Sequence, residues 1–135
     1  MNRYPIPIYT SYFAKLRELR IALPNAMFVT ISRYRPQWLG NIEDVRCEGL
    51  APSFTLLRDW KQRAIDESEY RARYLAEVGD TAAKYIATLC TMAQNRGHDA
   101  MVLLCYESPK IFCHRHLLAE HLGGIREWVG TLREH

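Results

Sequence analysis

One segment constrains the fold more than any other, because an apolar run stops abruptly and a helical pattern follows it. The run at residues 101–106 ends before a Ser108-Pro109 turn, and Leu117, Leu118 and Leu122 then recur at helical spacing. A short apolar run bounded by such a turn is typical of a buried strand. Because open α/β sheets usually bind ligands at strand-loop-helix junctions, the segment also predicts where the functional site lies.

Strands and helices alternate along the rest of the chain. Ile6 and Ile8 predict a first strand that ends at Thr10 and Ser11, one of which we expect to cap a helix. Residues 26–33 predict a second buried strand, residues 34–53 a long irregular loop and residues 125–129 an edge strand. For the helices between these segments, the expected caps are Ser53, Asp66 and Asp80. This order predicts a small three-layer α/β domain with a largely parallel sheet and helices on both faces.

Composition narrows the class of protein. With 135 residues, 48% of them hydrophobic, the chain predicts a single α/β domain over residues 1–135. No run reaches the roughly 18 to 20 apolar residues of a membrane span, so we expect a cytoplasmic protein with no membrane partner. In a reducing compartment, cysteines are free thiols, metal ligands or catalytic groups more often than disulfides. The four cysteines are Cys47, Cys90, Cys105 and Cys113.

The basic residues favour an anionic partner only weakly. The net charge is +3, which does not by itself predict nucleic-acid binding. Fourteen of the eighteen basic residues are arginine, whose guanidinium binds phosphate or carboxylate in a bidentate manner. A solvated surface explains most of these arginines equally well.

Cys113 is the residue on which the predicted site depends. If the last long helix begins beside it, the unpaired backbone N–H groups and the helix dipole stabilise either a Cys113 thiolate or an oxyanion of a bound ligand. Arg115, in the first turn, would bind the same anion. Because the carboxyl ends of parallel strands share one edge of a sheet, Thr10, Ser11 and Arg33 are expected nearby as further ligand-binding residues.

Three functional interpretations of this cluster remain open. The first is recognition of a phosphate-bearing ligand, nucleotide or nucleic acid. The second is a cysteine-dependent enzyme with Cys105 or Cys113 as the nucleophile and His114 or Glu107 transferring protons. The third is a metal site built from Cys105, Cys113, His114 and Glu107. Seven residues separate the two cysteines, which matches no common zinc spacing, so no metal is expected.

Two further alternatives involve no chemistry at this cluster. Cys105 and His114 are also compatible with simple packing, because free cysteine behaves as a small hydrophobic residue. The long loop and the three tryptophans, Trp38, Trp60 and Trp128, are compatible with a protein-interaction module. The sequence indicates no particular cofactor and no oligomeric state.

The same residues resemble a known family. Cys105, Glu107 and Pro109, followed by Cys-His-Arg at residues 113–115, resemble the signature of domain-of-unknown-function family 488. Residues 8–12, 31–33 and 50–53 and the pair Tyr70 and Tyr74 extend the resemblance over most of the chain. It implies a small three-layer α/β domain with one polar site and no settled activity, and the proposed roles of the family lean toward nucleotides or nucleic acids.

Overall fold

The computed structural model of the protein describes residues 3–39, 44–106 and 113–130. Within these ranges the chain has five strands and five α-helices, with three consecutive helices between the third and fourth strands. The strands are β1 (Ile8–Tyr12), β2 (Ala26–Thr30), β3 (Val45–Arg46), β4 (Ala100–Cys105) and β5 (Arg126–Glu127). The α-helices are α1 (Leu16–Ala22), α2 (Phe54–Lys61), α3 (Glu67–Val78), α4 (Ala82–Asn95) and α5 (His114–Leu122). Short 3₁₀ turns occupy Phe13–Lys15, Gln37–Leu39 and Glu48–Leu50.

The strands form one parallel sheet in the order β3-β2-β4-β1-β5. The central strand β4 pairs with β1 on one side, where Cys105 lies opposite Tyr12, and with β2 on the other, where Leu104 lies opposite Thr30. Because every pairing is parallel, the carboxyl ends of β1, β2 and β4 meet at one edge. The predicted common edge of these three strand ends is therefore confirmed.

Side chains of β4 alternate between two apolar cores. Met101, Leu103 and Cys105 pack in one core with residues of α3, α4 and α5. Val102 and Leu104 point to the opposite face, where they pack in a second core with residues of α1. A strand that is buried on both faces has apolar residues at consecutive positions, and for this reason β4 could be predicted from the sequence. The predicted three-layer α/β class is thus confirmed.

Two of the three predicted helix caps are present. The Ser53 hydroxyl accepts a hydrogen bond from the backbone N–H of Leu56 at the start of α2. The Asp66 carboxylate does the same for the N–H of Glu69 at the start of α3. The prediction for Asp80 is wrong, because α4 begins one residue later than an Asp80 cap requires, after Thr81, and no side chain caps it.

The predicted end of the first strand is also wrong. Thr10 and Ser11 lie inside β1, because the pairing with β4 keeps the backbone extended as far as Tyr12. The following 3₁₀ turn and α1 have no side-chain cap, so neither residue caps a helix.

The remaining boundaries differ in smaller ways. The second strand is shorter than predicted and ends at Thr30, although the N–H of Ile31 still bonds to the carbonyl of Leu104. The predicted loop contains the two-residue strand β3, which is too short to leave a periodic signal. The predicted edge strand is present as β5, at the end of the sheet next to β1. No helix in the described ranges is both long and apolar enough to cross a membrane.

Candidate functional site

The site lies where β4 ends and α5 begins, at the carboxyl edge of the sheet. Cys105 is the last residue of β4, and Cys113 has the extended backbone of an N-cap residue directly before α5. The predicted position of Cys113 at the helix start is therefore confirmed. Glu107, predicted as a proton-transfer residue, lies outside the described residues.

Two sulfurs and one imidazole nitrogen converge at this point. The ligand atoms of Cys105, Cys113 and His114 all lie within 4.8 Å of one another. The Cys113 Sγ is 3.6 Å from His114 Nδ1, and His114 Nε2 is 2.7 Å from the carbonyl oxygen of Ile31. Because a carbonyl oxygen only accepts hydrogen bonds, Nε2 carries the proton. In the neutral ring, Nδ1 therefore presents its lone pair to the Cys113 sulfur.

The surroundings of the two cysteines shift their pKa values in opposite directions. A hydrogen bond from the Cys105 thiol lowers the pKa of Cys113 below its ordinary value. Burial raises the pKa of Cys105, whose side chain is fully enclosed. Cys113 is therefore the more acidic of the two thiols. The start of α5 favours the same assignment, since the helix dipole stabilises an anion there.

Arg115 lies beneath this cluster and is completely buried. Its Nε is 3.0 Å and its Nη2 is 3.2 Å from the two carboxylate oxygens of Glu127. Its Nη1 is 2.9 Å from Cys105 Sγ, and the guanidinium lies over the ring of Tyr12. The Thr10 hydroxyl donates to the same Glu127 carboxylate at 2.7 Å. Arg115 thus connects a strand-end sulfur to a carboxylate on β5.

Sequence reasoning missed Glu127 altogether. It lies on the two-residue strand β5, twelve residues after Arg115 in the chain, and nothing in its neighbourhood distinguishes it from a surface acid. The pairing of β5 with β1 places Thr10 directly opposite Glu127. A sheet order with β1 beside the last strand would have suggested this contact, but the sequence alone does not give that order.

A pocket of about 350 Å³ opens beside the cluster. Of the predicted site residues, it brings together Arg33, Cys113 and His114, whereas Thr10, Ser11, Cys105 and Arg115 do not line it. The other lining residues are Ser32, Tyr34, Pro52, Leu57, Trp60, Lys61, Tyr70 and Tyr106. Arg33 is held by a 3.0 Å hydrogen bond from its Nε to the carbonyl of Pro52. The expectation that Arg33 and Arg115 face one pocket is therefore wrong, because Arg115 points into the protein.

The tryptophans do not form a common surface. Trp128 is buried, Trp60 lines the pocket, and Trp38 alone of the three is largely exposed. Ser11 is fully buried, and its hydroxyl has no hydrogen-bond partner among the described residues. Of these residues, Trp60 alone contributes a side chain to the pocket beside Cys113.

The fold and the cluster define a small parallel α/β protein with a cysteine-histidine site at the carboxyl edge of its sheet. The model of the DUF488-N3a family, described as the active DUF488-N3 subclade, matches residues 12–124. The chain therefore belongs to the DUF488 family, as its motifs indicated. No curated protein and no solved structure significantly matches the chain.

Proposed function

We propose that the protein binds an anionic, phosphate-bearing ligand in the pocket beside Cys113. The observation that carries the proposal is the charge of the lining. Arg33 and Lys61 both line the pocket, and none of its described lining residues is acidic. Among the described residues, the Arg33 guanidinium bonds only through Nε, so its terminal N–H groups are available for a bidentate contact with phosphate.

The shape and walls of the pocket favour a ligand that also has a flat, apolar part. Trp60 and Tyr70 stand with their ring centroids 5.2 Å apart, and Tyr34 and Tyr106 contribute two further aromatic rings. A cavity of about 350 Å³ lies within the range of small-molecule sites. Aromatic rings stack on bases, and guanidinium groups bind phosphates, so a nucleotide, free or within a nucleic acid, satisfies both features.

The test is a thermal-shift screen of nucleotides, short single-stranded nucleic acids and inorganic pyrophosphate, since a ligand of the native state raises its melting temperature. Arg33→Ala should then weaken binding of the best ligand by roughly tenfold to a hundredfold, the equivalent of one charge-assisted hydrogen bond. Arg17→Ala is the matched control, because Arg17 is exposed on α1, which packs on the opposite face of the sheet. If Arg33→Ala binds as tightly as the wild type, or if no anion shifts the melting temperature, this proposal is refuted.

A second candidate function is cysteine-dependent catalysis on the same ligand. The observation that favours it is the position of Cys113, at the start of α5, beside His114 and on the pocket wall. In this scheme the Cys113 thiolate is the nucleophile and His114 exchanges protons with the substrate.

Alkylation of metal-free, reduced protein with iodoacetamide tests the second candidate. Cys113 should react with iodoacetamide at a pH well below the ordinary thiol pKa of about 8.5, whereas Cys105 should remain unlabelled at the same pH. Cys113→Ser provides the background, and peptide mapping identifies the labelled residue. A Cys113 that titrates like a free thiol would remove the basis for a thiolate nucleophile.

A further inference from the structure

We propose that Cys105, Cys113 and His114 form a zinc-binding site beside the pocket. This inference is independent of the anionic ligand and concerns three side chains that the fold brings together from two elements. Two thiolates and one imidazole are the ligand set of a zinc site that keeps its fourth position open.

The distances between the donor atoms match a tetrahedral metal site. With Zn–S bonds of about 2.3 Å and a Zn–N bond of about 2.05 Å, tetrahedral angles place sulfur and nitrogen about 3.6 Å apart and the two sulfurs about 3.8 Å apart. The Cys113 Sγ and His114 Nδ1 are 3.6 Å apart, and all three donor atoms lie within 4.8 Å of one another. Closing the set around a metal therefore requires a small movement of the Cys105 sulfur at most.

The orientation of His114 is the second observation that points to a metal. Its Nε2 donates to the Ile31 carbonyl at 2.7 Å, which directs the Nδ1 lone pair toward the sulfurs. Histidines that bind a metal commonly donate their other ring N–H to a carbonyl or carboxylate, because this fixes the tautomer and the ring orientation. The unprotonated Nδ1, 3.6 Å from the Cys113 sulfur, is thus placed to share a metal ion with the two sulfurs.

The charges around the cluster also balance with a divalent cation. Two thiolates neutralise Zn²⁺, and the carboxylate of Glu127 neutralises Arg115, which it contacts through both oxygens. The Arg115 N–H at 2.9 Å from Cys105 Sγ then donates a hydrogen bond to a metal-bound sulfur. Metal binding displaces the proton that burial keeps on the Cys105 thiol, so the two thiolates form together with the cation and no charge is left uncompensated.

The spacing argument from the sequence does not apply to this arrangement. The cysteine-to-cysteine spacings typical of zinc sites come from short loops that hold both ligands, whereas here Cys105 ends a strand and Cys113 starts a helix. The sheet and α5 set the distance between the two sulfurs, and the number of residues between them does not. Glu107 is not needed as a ligand, since Cys113 and His114 both line the pocket, where a water or a ligand atom can take the fourth position.

Zinc alone is the probe for the test, with full-length protein kept reduced by a phosphine and stripped of metal by a chelator. Competition with a chromophoric chelator should show one tight zinc per chain. Cys105→Ser, Cys113→Ser and His114→Gln should each weaken zinc binding by more than the roughly 10- to 100-fold that a change in the second shell costs. Cys90→Ser is the matched control, because Cys90 is buried on α4 outside the cluster, and it should bind zinc like the wild type.

Cobalt(II) provides a readout that does not depend on the variants folding. The wild type should give a thiolate-to-cobalt charge-transfer band, together with visible bands of tetrahedral intensity. Zinc should also protect Cys113 from iodoacetamide in the wild type, which places the metal at this sulfur. The proposal is overturned if the wild-type cobalt spectrum lacks the thiolate band, or if folded Cys113→Ser binds zinc as tightly as the wild type.

Discussion

Arg115→Ala should destabilise the fold strongly. The Arg115 side chain is completely buried, and three of its nitrogens contact Glu127 or Cys105. Removing one partner of a buried ion pair costs about 3 to 5 kcal/mol, because the remaining charge stays desolvated. The Glu127 side chain keeps 20% of its exposure, so water can reach it and the lower end of that range applies.

The magnitude translates into a large and easily measured shift. A loss of about 3 kcal/mol in a chain of this size lowers the melting temperature by roughly 10 °C. Urea denaturation of wild type and variant gives the free energy of unfolding directly. The control is Arg71→Ala, which removes an ion pair of similar length to Glu120 on the surface, where the side chains are 40% and 70% exposed. That change should cost no more than about 1 kcal/mol.

A double variant identifies the cause of the destabilisation. If the cost arises from an unpaired carboxylate, Arg115→Ala combined with Glu127→Gln should recover part of the loss, because no buried charge is left. If Arg115→Ala unfolds at the same urea concentration as Arg71→Ala, the buried pair contributes no more than a surface pair. The description of Arg115 as a structural connection would then be refuted.

Two smaller changes test other parts of the structure. Tyr74→Phe should lower the free energy of unfolding by roughly 1 to 3 kcal/mol in urea denaturation, because the buried carbonyl of Leu50 loses its 2.7 Å hydrogen bond, whereas Tyr85→Phe at an exposed site should change little. A hydrogen bond from Arg73 lowers the pKa of Asp59, which contributes stability above its unfolded pKa and loses it as the pH falls through the folded value. Asp59→Asn should therefore be slightly less stable than the wild type at neutral pH and equal to it in acid, and an unchanged difference in acid would contradict this assignment.

The parts of the fold that the sequence predicted are those that local interactions determine. Ser53 and Asp66 cap helices through contacts only three residues away, so their residue types reveal them. Strand β4 can be predicted from its apolar run because both faces of the strand are buried. Thr10 and Ser11 were wrongly predicted as a strand end and helix cap, because small polar residues favour helix caps. Their extended conformation follows from pairing with a strand some ninety residues away.

The candidate site was predictable to the same extent. Cys113 and His114 are neighbours in the chain, and their place at a helix start follows from the helical pattern after them. The bond from His114 to Ile31 and the pair formed by Arg115 and Glu127 depend on the order of the strands. Sequence periodicity predicts which residues face a core, but it does not say which strand lies next to which.

Arg33 and Arg115, which were both predicted from the sequence to bind the ligand, therefore have different roles. Arg33 lines the pocket and uses only Nε for a contact within the described chain, so its substitution should reduce ligand affinity and leave stability nearly unchanged. Arg115 is enclosed and contacts a carboxylate and a sulfur, so its substitution should reduce stability even without ligand. Because Arg115 also donates a hydrogen bond to Cys105, any substitution that displaces the guanidinium also changes the surroundings of the Cys105 sulfur. Variants of Arg115 or Glu127 should consequently lose both stability and zinc affinity. Variants of Arg33 should lose affinity for the anionic ligand and keep both of these properties.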